Sequence, residues 1–138
     1  MVRQKTVLIG LHNEEIMSAA SVYFGRAGYS VSTARSLDEM LSKMGIRGRS
    51  SDNTELCVNY DWYIMDVNLG HPGNNTCEPS EIIYNHVKEK IINKRAKFIS
   101  ISGSSHTLDK AISKGIPAFS NMDPRFVKLL KNPEGYEI

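Results

Sequence analysis

The 138-residue chain has only two cysteines and a formal net charge of only +2, and each shortage removes a class of function. Cys57 and Cys77 stand in polar, loop-like stretches without a secretory leader, so they read as free thiols rather than as a disulfide or redox pair. No apolar run approaches the roughly 18 residues of a membrane span, and "MVRQKTVLIG" is too short an apolar lead for a signal sequence. A cytoplasmic protein without membrane contact is expected. Lys and Arg are scattered through the chain and make no basic stripe, which argues against nucleic acid as a partner. Internal repeats and low-complexity tracts are missing too. "GHPGNNTC" lacks the Gly-Lys-Ser/Thr ending of a phosphate loop, and "NNT" at 74–76 has no secretory context to make it a glycosylation site.

What is present is the composition of one globular domain, 41% hydrophobic and 23% charged, expected to span 1–138 with its core over about 5–131. Short apolar runs alternate with amphipathic stretches. "KTVLIGL" (5–11) reads as a strand buried on both faces. A helix follows, with Asn13 as cap and Glu14 and Glu15 at the positive end of its dipole. Ile16, Ala19, Ala20, Tyr23, Phe24 and Ala27 form its apolar face, and Gly28 stops it. "YSVSTA" (29–34) alternates like an edge strand, after which Ser36 and Glu39 open a second helix with Leu37, Met40, Leu41 and Met44 inward. "WYIMD" (62–66), "KFISIS" (97–102) and "IPAFS" (116–120) are three further strands, each followed by a helix. The first of these helices runs from about Pro79 to Asn93, with His86 on its surface. The second covers "HTLDKAISKG", and the last starts at an Asp123 cap with Pro124 in the first position. The polar stretches 45–59 and 67–78 are longer than compact connections need and read as inserted loops.

This alternation predicts an α/β fold of three layers, a doubly wound parallel sheet with helices on both faces. Proline within a strand is tolerated mainly at a sheet edge, so Pro117 places the fifth strand outermost. Ligands in such sheets lie beyond the carboxyl ends of the strands. Asp66 ends the third strand there, and a carboxylate leaving a buried strand is costly unless it is solvated or used.

Over nearly its whole length, the chain resembles the receiver domain of two-component response regulators. The resemblance implies a five-stranded sheet of order 2-1-3-4-5, the flavodoxin-like arrangement of CheY-like domains. It implies that Asp66, in "YIMDVNLG", accepts a phosphoryl group from a kinase histidine. In the same way, Ser102 and Gly103 in "SISG" match the phosphate-sensing positions, and Phe119 in "KGIPAFS" matches the aromatic switch. The implied partners are a histidine kinase or phosphotransfer protein upstream and an output protein downstream, with no catalytic turnover by the domain itself. The output face would be the fourth helix, fifth strand and fifth helix, about residues 106–131. With about eight residues past the last helix, no attached output domain is expected.

Two departures qualify the resemblance. Receivers hold Mg²⁺ with paired acids after the first strand, and the counted positions here are Leu11 and His12, neither a hard oxygen ligand. Mg²⁺ is accordingly a weak cofactor candidate. Receivers also carry a lysine at the end of the fifth strand, where the count gives Met122. A pair of like charges about 4 Å apart costs roughly 4 kcal/mol at an effective dielectric near 20. Without metal and lysine, phosphorylation would therefore slow by roughly three orders of magnitude. An atypical receiver, or pseudo-receiver, is expected, with a phosphorylation-independent interaction module as its alternative. A further alternative is a metal-binding module. His12, His71 and His106 each follow a strand on the Asp66 side, and imidazole with carboxylate suits Zn²⁺ or another transition metal. A flavin enzyme on the same sheet is disfavoured, because Glu14 and Glu15 would repel phosphate from the first helix.

Overall fold

The computed structural model describes residues 4–46, 58–70 and 76–135. Strands β1 (Thr6–Gly10), β2 (Ser30–Ala34), β3 (Trp62–Asp66), β4 (Lys97–Ser102) and β5 (Ala118–Ser120) alternate with five helices. These are α1 (Glu14–Arg26), α2 (Leu37–Lys43), α3 (Glu78–Ile92), α4 (Ser105–Ser113) and α5 (Pro124–Lys131). All neighbouring strands pair in parallel in the order β2-β1-β3-β4-β5, as the resemblance implies. Most of the expected loop 45–59 and residues 71–75 of the expected loop 67–78, with Cys57 and His71, lie outside the described residues.

Helix starts follow local hydrogen-bonding chemistry. Asn13 Oδ1 accepts from the Ile16 amide at 3.0 Å, Ser36 Oγ from that of Glu39 at 3.1 Å, and Asp123 Oδ1 from that of Arg125 at 2.9 Å. Each satisfies an amide that the first helical turn leaves without a partner. Ser104, not anticipated as a cap, serves α4 through the Thr107 amide.

Because side chains alternate across a strand, the sheet divides the core in two. Leu8, Tyr63, Met65 and Phe98 point toward α2, α3 and α4, where they meet Met40, Leu41, Ile83, Val87 and Ala111. Val7, Ile9, Trp62, Ile64, Ile99, Ile101 and Phe119 point to the other side, against Ala20 and Phe24 of α1 and Phe126, Leu129 and Leu130 of α5. Burying each large apolar side chain contributes about 1.5–3 kcal/mol, so the two layers carry most of the stabilisation. Trp62, 1% exposed, donates from Nε1 to the Pro133 carbonyl at 3.1 Å, which ties the segment after α5 to the start of β3. Gly10 ends β1 where a Cβ would lie only 2.8 Å from Leu69 Cδ2 and Met40 Sδ, so glycine lets these side chains close over the strand end.

Several expectations need correction. β1 and β5 are shorter than 5–11 and 116–120. Leu11 leaves the sheet yet stays 1% exposed, and β5 begins only after Pro117, whose carbonyl accepts from the Ser100 amide at 3.0 Å and Ser100 Oγ at 2.9 Å. Ala19 and Ala27 of the expected α1 face are exposed, because the contact stripe is narrower than the periodicity allowed. Cys77 is a free thiol, as expected, but it is buried beside α3 rather than set in a polar loop. His86 is not a simple surface residue, since both ring nitrogens are buried without a hydrogen-bond partner.

Candidate functional site

The carboxyl ends of β1, β3 and β4, with the segment after β5, surround a cavity of about 180 Å³. Asp66 forms part of its lining with a side chain 17% exposed. Its Oδ2 accepts a hydrogen bond from the His12 backbone amide at 2.5 Å and lies 3.2 Å from His12 Nδ1. On the other side of the ring, His12 Nε2 accepts from the Gly70 amide at 2.7 Å. An amide can donate only to a bare ring nitrogen, so Nε2 carries the lone pair and the ring hydrogen of the neutral imidazole sits on Nδ1, facing Asp66. One side chain thus links the β1–α1 and β3–α3 connections through the carboxylate. Burial pushes the Asp66 carboxyl above its ordinary value, opposed by the hydrogen bond from the His12 amide.

Asn13 and Asn68 line the cavity beside His12, and Asn121 lines it beside Gly103. Sequence reasoning missed all three as site residues. Their visible cue was position alone, since each follows the end of a strand on the Asp66 side. Asn121 stands next to Met122, the position counted for the family lysine. It occupies the cavity wall, its amide donating to the Ser102 carbonyl at 3.1 Å, whereas Met122 is 86% exposed and lies outside the lining. Neither offers a cation.

Ser102 and Gly103 do line the cavity, but the Ser102 hydroxyl is engaged by the adjacent turn. It donates to the Ser104 carbonyl at 3.1 Å and accepts from the Ser104 amide at 3.0 Å. Phe119 is 2% exposed and faces α5, not α4. Its ring centroid lies 6.2 Å from that of Phe126, and the Arg125 guanidinium covers it at 5.1 Å.

Mg²⁺ requires several oxygen ligands in near-octahedral geometry. Among the described residues of the lining, Asp66 is the one acid, Leu11 belongs to the core and both nitrogens of the His12 ring are engaged. Glu14 points instead to Arg35, 2.7 Å away. These residues do not fit Mg²⁺. The expected histidine cluster is not seen among the described residues either. His71 lies outside the described residues, His106 is exposed on α4 and does not line the cavity, and no three His, Cys, Asp or Glu side chains gather among the described residues to hold a metal.

No protein-family model and no curated protein sequence matches the chain. Solved structures do. A CheY-like response regulator receiver domain protein from Methanospirillum hungatei aligns with 19% identity and a TM-score of 0.60, over 91% of this chain and 89% of that one. The response regulator TrrA from Thermotoga maritima, in complex with Mg²⁺ and BeF, aligns with 22% identity and a TM-score of 0.59, over 91% and 92%. A Burkholderia pseudomallei response regulator with a phosphorylated aspartic acid and a calcium ion aligns with 18% identity and a TM-score of 0.60, over 93% of this chain and 66% of its own. The fold is that of CheY-like receiver domains, and no helix among the described residues is long and apolar enough to cross a membrane.

Proposed function

We propose that the chain is a receiver-like module of two-component signalling that works through protein contacts, with Asp66 held by His12 rather than by a metal ion. The observation that carries this reading is the double engagement of Asp66 Oδ2 by the amide and the imidazole of one residue whose other ring nitrogen is fastened to Gly70. In the Thermotoga structure Mg²⁺ accompanies BeF, and in the Burkholderia structure calcium accompanies the phosphorylated aspartate. This chain lacks a second acid in the described lining, so its carboxylate is supported by a neutral hydrogen-bond donor, the His12 amide, with the imidazole beside it. Such donors position a carboxylate but do not offset the charge of an incoming phosphoryl group. The module has no turnover of its own in this reading. It docks a histidine kinase or phosphotransfer protein and passes the signal to an output protein.

A second reading keeps Asp66 as a phosphoacceptor. It is favoured by one detail, that no hydrogen bond reaches Asp66 Oδ1 among the described residues, which leaves an oxygen at the cavity for in-line attack. In that step Oδ1 forms a bond to phosphorus as the bond from phosphorus to the donor's histidine nitrogen breaks.

Intact-mass measurement after incubation with acetyl phosphate and Mg²⁺ separates the readings. The docking reading expects no added phosphoryl group on the wild type. An adduct on the wild type that Asp66→Asn lacks would overturn it in favour of the second.

A further inference from the structure

At the other end of the sheet, near the amino ends of the strands, two adjoining cavities of about 530 and 450 Å³ share Asp61 and Arg95. Lys5, Lys90, Lys94, Arg95 and Lys97 line them, against two carboxylates, Asp61 and Glu134. Three excess positive charges are more than the net charge of the entire chain. Tyr29 adds no negative charge, because burial and then the neighbouring Glu134 and Asp61 push its hydroxyl up to about 12.

The carboxylates and some of the cations are already engaged. Asp61 Oδ2 accepts from the Thr6 amide at 2.8 Å, Glu134 pairs with Lys5, Lys90 donates to Asn59, and Lys97 donates to the Glu134 carbonyl at 2.8 Å. Lys94 and Arg95 are different. Among the described residues neither side chain makes an ion pair or hydrogen bond, and both are exposed at the groove.

The backbone at Lys94 supplies an independent observation. α1, α2 and α4 are each followed by a glycine of positive φ, at Gly28, Gly45 and Gly115, whereas after α3 that place is taken by Lys94 at φ 59. The turn is otherwise regular. The Lys94 amide donates to the Ile91 carbonyl at 3.1 Å and the Arg95 amide to that of Lys90 at 2.9 Å, which are the closing bonds of a helix end that favours glycine. A side chain held in a disfavoured backbone conformation, with no partner among the described residues, points to use beyond the fold.

We infer that this groove docks an acidic polypeptide segment, with Lys94 and Arg95 as its recognising cations. The groove joins two cavities through Asp61 and Arg95, and its charge excess suits a few carboxylates. A nucleic-acid strand fits less well. Three excess charges fall short of the roughly 6–10 phosphate contacts of a strong binder, and Trp62 and Tyr29 are buried and present no ring on which a base could stack.

The test is fluorescence anisotropy of a labelled hexaglutamate peptide with the full chain at low ionic strength, paired with thermal melts. The wild type binds, and the Lys94→Gly, Arg95→Gln double variant binds about tenfold more weakly. Asp66→Asn binds like the wild type. Lys94→Gly alone melts a few degrees higher than the wild type, because relief of the backbone strain is separate from the lost charge. Any one of four results overturns the inference: no binding by the wild type, full affinity in the double variant, a single-stranded oligonucleotide bound more tightly than the peptide, or a lower melting temperature for Lys94→Gly.

Discussion

His12 Nδ1 lies 3.2 Å from Asp66 Oδ2 while His12 Nε2 accepts the Gly70 amide at 2.7 Å, so a single imidazole spans the cleft in which the carboxylate sits. This geometry requires the neutral ring, with its hydrogen toward Asp66. The residue that departs most plainly from the acids of receiver domains is therefore the one that holds the site together.

Replacing that imidazole by an acid tests its role. His12→Asp keeps the backbone amide but sets a second carboxylate beside Asp66. The variant is expected to lose about 1–3 kcal/mol of stability without metal, through like-charge repulsion and the unpaired Gly70 amide. Mg²⁺ should then raise its melting temperature while leaving the wild type unchanged. A Mg²⁺-induced shift in the wild type would contradict the reading of the lining given above.

Asp66→Asn should melt higher than the wild type at neutral pH, as judged by differential scanning calorimetry. Burial raises the folded carboxyl above its ordinary value of 3.8. Between that value and the folded one, the folded state binds more protons than the unfolded chain. Stability is consequently lost as pH rises through this window and regained as it falls. The asparagine oxygen can still accept the His12 amide, so the variant removes the charge and keeps the bond. The gap should close as pH drops toward 3.8, and a wild type that melts higher than the variant at neutral pH would oppose the argument.

The parts of this chain that were legible in its sequence are those governed by local chemistry. Asn13, Ser36 and Asp123 cap the helices their spacing assigned, and β3 and β4 coincide with the runs "WYIMD" and "KFISIS". Less legible were features that depend on register. Side chains alternate with period two along a strand, and which residues face the cavity after the three-residue β5, with Asn121 in its wall and Met122 exposed, follows from its pairing with β4. The same parity turns Phe119 to the α5 side of the sheet. His12 was legible as a missing acid but not as a bridge, since the Gly70 amide comes from a loop 58 residues away in the chain.

His86→Leu is expected to stabilise the protein by about 1 kcal/mol at neutral pH, because both ring nitrogens are buried without partners. Burial also lowers the proton affinity of the ring below its ordinary value of 6.5. The unfolded chain then binds the proton first, so the wild type loses stability as pH falls below 6.5 while the leucine variant does not. Urea denaturation at two pH values reads both effects. A variant no more stable than the wild type at either pH would mean that the nitrogens are satisfied.

Trp62→Phe should cost about 2 kcal/mol. The substitution removes the bond to the Pro133 carbonyl and part of a ring packed 6.1 Å from Phe24. Hydrogen exchange is expected to show faster opening of the segment after α5, which that bond holds. Unchanged protection there would place the anchoring elsewhere.

The fifth strand has a consequence for how copies of the protein can meet. A parallel sheet grows when another strand finds a long row of unpaired amides and carbonyls at its margin. At one margin β5 offers three residues, preceded by a proline that has no amide hydrogen to give and whose carbonyl is already taken by Ser100. That side offers only a short row for extension, which disfavours edge-to-edge growth through it. Partners are expected to approach this flank by way of its helices and turns.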